Sequence, residues 1–288
     1  MTKPIPGPDP NPKKPDLQLP PGACDAHCHV FGPGDRFPYH PNRAYTPPDV
    51  PKEALKALHD HLGIERAVIV HASCHGEYMD ATLDAIAWSN GTYRGTSVVS
   101  PDISDKELQR YHDGGIRAVR FNFVRHLESV PEPEVVRRMA DRIKDMGWHL
   151  VVHLDAVDTV ELSPLLLSLP VPFVIDHMAR VKASDGLDQP AFKQLLDLMK
   201  RELAWVKICG PERVSAEGPP FEDAVPFAQA LVKAAPDRVL WGTDFPHPNV
   251  KHMPNDGHLV DLLGKMVPDP DTLRQIVVDN PTRLYWQD

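Results

Sequence analysis

The sequence predicts an α/β protein built as one closed (β/α)8 barrel, and three observations carry that reading. Eight short runs rich in β-branched residues recur along the chain, and amphipathic stretches separate them. The first run ends in "HVFGPG", which has neither the spacing nor the following helix of a glycine-rich phosphate turn, so an open doubly wound sheet fits poorly. The strands expected are "ACDAHCHVF" (23–31), "RAVIVHAS" (66–73), "YRGTSVVS" (93–100) and "IRAVRFNF" (116–123). Four more follow: "HLVVHLD" (149–155), "PFVIDHM" (172–178), "AWVKIC" (204–209) and "RVLWGTD" (238–244). Helical patterns lie between them, among others at 51–62, 133–146 and 191–203. Strands that alternate with helices require right-handed crossovers and a parallel sheet, and eight of them close into a barrel.

The chain of 288 residues is long for one domain but ordinary for such a barrel, and 42% apolar residues suffice for its core. The first 22 residues, "MTKPIPGPDPNPKKPDLQLPPG", hold eight prolines and no apolar signal region. They read as an extended arm over 1–21, flexible or draped on the surface, ahead of a single folded domain over 22–288. A net charge of −9 argues against nucleic acid or an anionic membrane as partner. No apolar run approaches a membrane span. Cys24, Cys28, Cys74 and Cys209 form no CxxC pair, which suits a reduced cytoplasm.

Active sites of such barrels sit at the C-terminal ends of the strands. Polar residues there are His27 and His29 on strand one, His71, Ser73 and His75 on strand two, and Arg120 and Asn122 on strand four. Strand five carries His153 and Asp155, strand six Asp176, His177 and then Arg180, and strand seven Lys207 with Arg213 beyond it. Strand eight ends in "GTDFPHPN", with Asp244, His247 and Asn249. Singly, each has a plain structural reading as a hydrogen-bonded core histidine, a helix cap or a surface ion pair. Four histidines and a carboxylate converging from strands one, five, six and eight favour a functional site. Strict alternation would put Asp25, His27, His29 and Phe31 on one face, with Cys24 and Cys28 packing toward the helices.

The stretches "DAHCHVFGP", "SCHG", "RFNF", "VIDHM", "WGTDFPHPN" and "NPTRLYW" resemble the amidohydrolase superfamily, and within it the 2-pyrone-4,6-dicarboxylate hydrolases and related lactonases. The resemblance runs from Gly22 onward. It implies a distorted TIM barrel that hydrolyses a small anionic lactone, in the manner of enzymes of aromatic-compound catabolism. Carried over residue by residue, it implies metal ligands at His27, His29, His153 and Asp244, with zinc as the metal. Asp244 and His177 would be catalytic. Arg120, Arg180 and Arg213 would bind substrate anions, with Tyr45, Ser73, His75 and Asn249 lining the site. Two positions depart from the pyrone hydrolases: His153 stands where they have tyrosine, and His126 where they have arginine. Arg125 could stand in for the latter. The metal-dependent 4-sulfomuconolactone hydrolases are similar relatives that fit the altered pattern.

In that chemistry zinc would activate a water near neutral pH, Asp244 would move its proton, and His177 would stabilise the oxyanion. A metal-free route would use Asp244 as general base with the histidines polarising the carbonyl. A metal-dependent decarboxylase acting on an unsaturated carboxylate is the alternative reading, and a non-catalytic barrel with a polar core is a third.

Overall fold

The computed structural model describes residues 3–124 and 130–287. Eight parallel strands form one sheet in chain order: β1 (Cys24–Cys28), β2 (Arg66–Val70), β3 (Tyr93–Ser97), β4 (Ile116–Asn122), β5 (His149–His153), β6 (Phe173–Ile175), β7 (Ala204–Lys207) and β8 (Val239–Leu240). The last strand leaves its ladder with β7 early because the following residues turn to β1. Ala26 N–H donates to the Trp241 carbonyl (2.9 Å), Asp244 N–H to that of His27 (2.7 Å) and His29 N–H to that of Phe245 (2.7 Å). These bonds close the (β/α)8 barrel. The Asp25 carboxylate adds a second seam, accepting from the backbone N–H of His27 and of Thr243 (both 3.0 Å) and from Thr243 Oγ1 (2.6 Å).

Helices α1 (Lys52–Leu62), α2 (Asp80–Trp88), α3 (Asp105–Asp113), α4 (Pro133–Ile143), α5 (Asp158–Leu167) and α6 (Pro190–Leu198) alternate with the strands. The last of these stops short of the predicted 203 because Leu203 must already offer its carbonyl to Phe173 N–H (2.9 Å) as the chain enters β7. The main apolar core lies between strands and helices. A smaller cluster takes Val68, Ala118, Val151, Val174, Trp205 and Leu240 from successive strands, with Tyr285 packed among them, and fills the barrel interior.

The alternation expected for β1 fails at one point. Cys24 and Ala26 belong to the interior cluster, whereas Asp25 reaches out to His59 of α1 (3.2 Å) and Cys28 packs in the outer core. A one-residue bulge between Asp25 and Cys28 flips the faces, so Asp25 can serve the seam while His27 and His29 still enter the mouth.

The proline-rich arm is pinned to its own chain. Asp9, Asn11 and Lys13 bond Asn255, and Asp261 of the helix Asp256–Met266 accepts from Lys13 Nζ (2.6 Å) and from the N–H of Asp16 (2.7 Å) and Leu17 (3.0 Å). At its start Lys3–Pro4 pairs in parallel with Tyr45–Thr46, and Ile5 N–H donates to the Thr46 carbonyl (3.0 Å).

Candidate active site

The strand ends open into a cavity lined by His29, Tyr45, Ser73, Arg120, His153, His177, Arg180, Arg213, Asp244 and Asn249, together with Ala72 and Pro248. Its floor is the Asp244 carboxylate. Oδ1 faces His27 Nε2 (3.4 Å), His29 Nε2 (3.3 Å) and His177 Nε2 (3.9 Å). Oδ2 is taken by Arg213, which donates from Nε (3.0 Å) and Nη2 (2.5 Å). Burial works to raise the Asp244 carboxyl, but Arg213 foremost, then His177, His29 and His27, holds it well below the usual carboxylate range.

Arg213 therefore does not hold out a free fork to an anion. It also donates to the Pro248 carbonyl (3.0 Å) and lies 3.5 Å from the buried Glu212 carboxylate. Burial lifts Glu212 to about 7.

A second carboxylate, Asp176, organises the layer beneath. Its Oδ1 lies 3.2 Å from Lys207 Nζ and 3.3 Å from His27 Nδ1, and its Oδ2 accepts from Arg120 Nε (3.0 Å). Burial opposes its ionisation, yet Lys207, His27 and Arg120 hold it well below the ordinary range. Burial and then the Lys207 charge push His27 down to about 4, so this ring is neutral near pH 7. Neither Asp176 nor Lys207 is assigned a role by motif reading. The signal was a lysine inside the apolar run "AWVKIC", which has to find an anion somewhere in the barrel.

The donor set fits one divalent cation. His29 Nδ1 bonds the Val70 carbonyl (2.7 Å), which turns Nε2 toward the Asp244 carboxylate (3.3 Å). Imidazole nitrogen and carboxylate oxygen are ligand types that a divalent cation such as zinc accepts. His27 Nε2 is buried without a hydrogen-bond partner, and its Nδ1 faces both a donor (Lys207) and an acceptor (Asp176), so either tautomer is accommodated. The ligand atoms of His27, His29 and Asp244 all lie within 4.8 Å of one another. His153 does not join that group: its Nε2 lies 3.4 Å from Arg180 Nη1 instead, because Arg180 reaches inward across the mouth from its pair with Asp155 (3.0 Å). The expected four-residue ligand set is thus three together and one apart.

Arg120 and Arg180 remain as cavity arginines whose forks are only partly used. Asp176 engages Arg120 through Nε, and Asp155 engages Arg180 through Nε. Arg180 and His177 reach the mouth on an unusual turn, with φ between 52° and 56° at His177, Met178, Ala179 and Arg180. Left-handed backbone at four successive non-glycine residues persists only where the surroundings dictate it. Asn249 (φ 59°) joins the lining from another loop with left-handed backbone.

His75 is not in the cavity wall. Its Nε2 accepts from Gly32 N–H (3.2 Å), its Nδ1 bonds the Pro38 carbonyl (3.1 Å), and its ring stacks on Tyr39, so it braces the loop after β1. Arg125 and His126 lie outside the described residues.

The family model for amidohydrolases matches residues 24–286. Over 286 residues the chain is 47% identical to a 2-pyrone-4,6-dicarboxylate hydrolase of Comamonas testosteroni, covering 96% of this chain and 94% of that one. It is 41% identical over 273 residues to a 4-sulfomuconolactone hydrolase of Hydrogenophaga intermedia, covering 93% and 90%. A solved Pseudomonas putida structure, provisionally described as a 2-pyrone-4,6-dicarboxylic acid hydrolase, is 28% identical with a TM-score of 0.79 over 94% of this chain and 98% of that one. With the model match spanning nearly the whole barrel, the chain belongs to the amidohydrolase family.

Proposed function

We propose that this chain is a hydrolase that opens the ring of a small lactone bearing two anionic groups, of the 2-pyrone-4,6-dicarboxylate or 4-sulfomuconolactone kind. The observation that carries the reading is the asymmetry of Asp244: Oδ2 is locked by Arg213, while Oδ1 is presented to the cavity among three imidazole Nε2 atoms. Hydrolysis needs a base to take a proton from water, and Oδ1 is the Asp244 oxygen left for that task. Its strong ionisation keeps it ready as a base at any working pH, at some cost in basicity. The same oxygen returns the proton to the ring oxygen as the ester bond breaks. His177 Nε2, at the cavity wall, donates to the carbonyl oxygen as it gains charge. Arg120 and Arg180 hold the two anionic groups, and Tyr45, Ser73 and Asn249 shape the rim. Zinc, held by His27, His29 and Asp244, would add Lewis-acid polarisation of the carbonyl and a lowered pKa for water.

The reading extends to a cytoplasmic enzyme of aromatic-compound breakdown. The four cysteines are free and buried, as suits a reducing compartment, and no described helix is long and apolar enough to cross a membrane. The test is metal analysis of the purified protein, with activity on both lactones before and after chelation and zinc re-addition. About one zinc per chain with activity that follows it is the expected result. Chelator-resistant turnover would remove the metal from the proposal and leave the Asp244 route. Release of carbon dioxide from an unsaturated carboxylate, with neither lactone opened, would overturn the reading in favour of a decarboxylase.

A further inference from the structure

We propose that Cys209 is a positioning residue for the reaction: its S–H donates to His177 Nδ1 and so keeps the single proton of that ring on Nε2, the nitrogen that faces the cavity. The kinetic part of this inference rests on the lactone-hydrolase reading; the geometric part does not.

Cys209 follows β7 by two residues, and its Sγ lies 3.3 Å from His177 Nδ1. Both side chains are buried. A neutral imidazole has one donor and one acceptor nitrogen, and a neighbouring donor decides which is which. At neutral pH an ordinary thiol is protonated and an ordinary imidazole is mostly uncharged, so the pair meets as a thiol and a neutral ring, and a thiol sulfur is only a weak acceptor. The thiol is then the donor and Nδ1 the acceptor.

The surroundings hold the ring in this contact. Gly210 has φ 70°, and a Cβ there would lie 2.5 Å from His177 Nδ1, so only glycine lets the backbone pass so close. The His27 ring packs against it, tilted, at 4.5 Å between centroids, and the His153 ring lies T-shaped to it at 5.5 Å. On the far side Nε2 stands 3.9 Å from Asp244 Oδ1. That is too long for a direct hydrogen bond, so the Nε2–H remains available to a substrate oxygen. With the proton on Nδ1 instead, Nε2 would turn a lone pair toward the carbonyl oxygen whose negative charge it has to stabilise. Cys209 thus decides whether His177 helps or opposes the developing oxyanion.

The test uses the intact chain labelled with 15N-histidine, with the His177 resonances assigned by their loss in His177→Gln. The wild type is expected to show a bare Nδ1 and a protonated Nε2, and Cys209→Ser to keep that pattern, with kcat within about threefold. Cys209→Ala and the volume-keeping Cys209→Val should mix the tautomers and lower kcat about 10- to 100-fold at nearly constant KM, short of the full loss of an oxyanion donor. A wild-type ring protonated on Nδ1 would overturn the inference, as would an unchanged tautomer and kcat in both non-donor variants. A thiolate-to-cobalt charge-transfer band in cobalt-loaded protein would overturn it too, by making Cys209 a metal ligand with His27 and His177. If neither lactone is turned over, the hydrolase reading fails on its own, while the resonances still decide the hydrogen bond.

Discussion

Replacing Arg213 by methionine isolates the most exposed consequence of the site's electrostatics. The guanidinium is largely buried at the cavity wall and gives Asp244 Oδ2 two N–H donors, at 3.0 and 2.5 Å. Methionine keeps much of the volume and leaves a buried carboxylate without its largest opposing charge. Breaking a buried pair in this way costs about 3–5 kcal/mol. The sign with pH follows from linkage. In the wild type the folded pKa of Asp244 lies below its unfolded value, so its ionised form stabilises the fold above the unfolded carboxylate range, and that contribution drains only as pH falls through the folded pKa. In the variant, burial dominates, the folded pKa rises, and ionisation near neutral pH works against the fold. Protonation on acidification relieves that cost. Urea unfolding at about pH 7 and about pH 5 should therefore show a gap between the two proteins that narrows toward acid, and the acid limb of the kcat/KM profile should move upward. Arg213→Lys, which keeps the charge but not the fork, should fall between. A loss under about 1 kcal/mol, or a gap that does not narrow, would refute the assignment of Arg213 as the counter-charge of Asp244.

Asp244→Asn should lower kcat by about 10²- to 10⁴-fold while circular dichroism stays native, since the amide is isosteric but cannot take a proton; residual activity within tenfold would exclude Asp244 as base. Arg180→Gln removes one partly used guanidinium from the wall, and KM for a doubly anionic lactone should rise about 10- to 100-fold, in line with one charge-assisted hydrogen bond lost. Steady-state kinetics against a neutral lactone, for which KM should not move, gives the control. Asp25→Ala empties the seam between β1 and the chain after β8, stranding Thr243 and His59; a loss of about 2–4 kcal/mol in chemical denaturation is expected, with activity falling even where the protein stays folded.

Much of this organisation is legible in the chain, for physical reasons that differ from element to element. The strand and helix alternation is a period effect and reads directly. His27, His29 and Asp244 come to one mouth because barrel topology brings the ends of strands one and eight together. What local pattern cannot carry is the pairing of buried charges. Lys207 and Arg120 belong to different strands, Asp176 follows a third, and the three become a network only once the barrel closes. Arg213 reads as an anion binder until its carboxylate partner is seen. The bulge in β1 hides for the same reason, since a single inserted residue leaves the composition of "ACDAHCHVF" unchanged while inverting its faces. His75 looks like a site residue by its place after strand two, but the loop it braces arrives from Gly32 and Pro38.

The opening residues of the chain also have a bearing on specificity. Tyr45 lines the cavity, and the backbone that presents it is paired with Lys3–Pro4. One wall of the mouth is therefore coupled to the arm, which bonds to Asn255 and Asp261 hold against the barrel. An addition ahead of Lys3 is therefore expected to act on substrate fit, and a difference in KM between tagged and untagged protein would show it. Hydrogen exchange at Ile5 and Thr46 would report the difference before any kinetics were run.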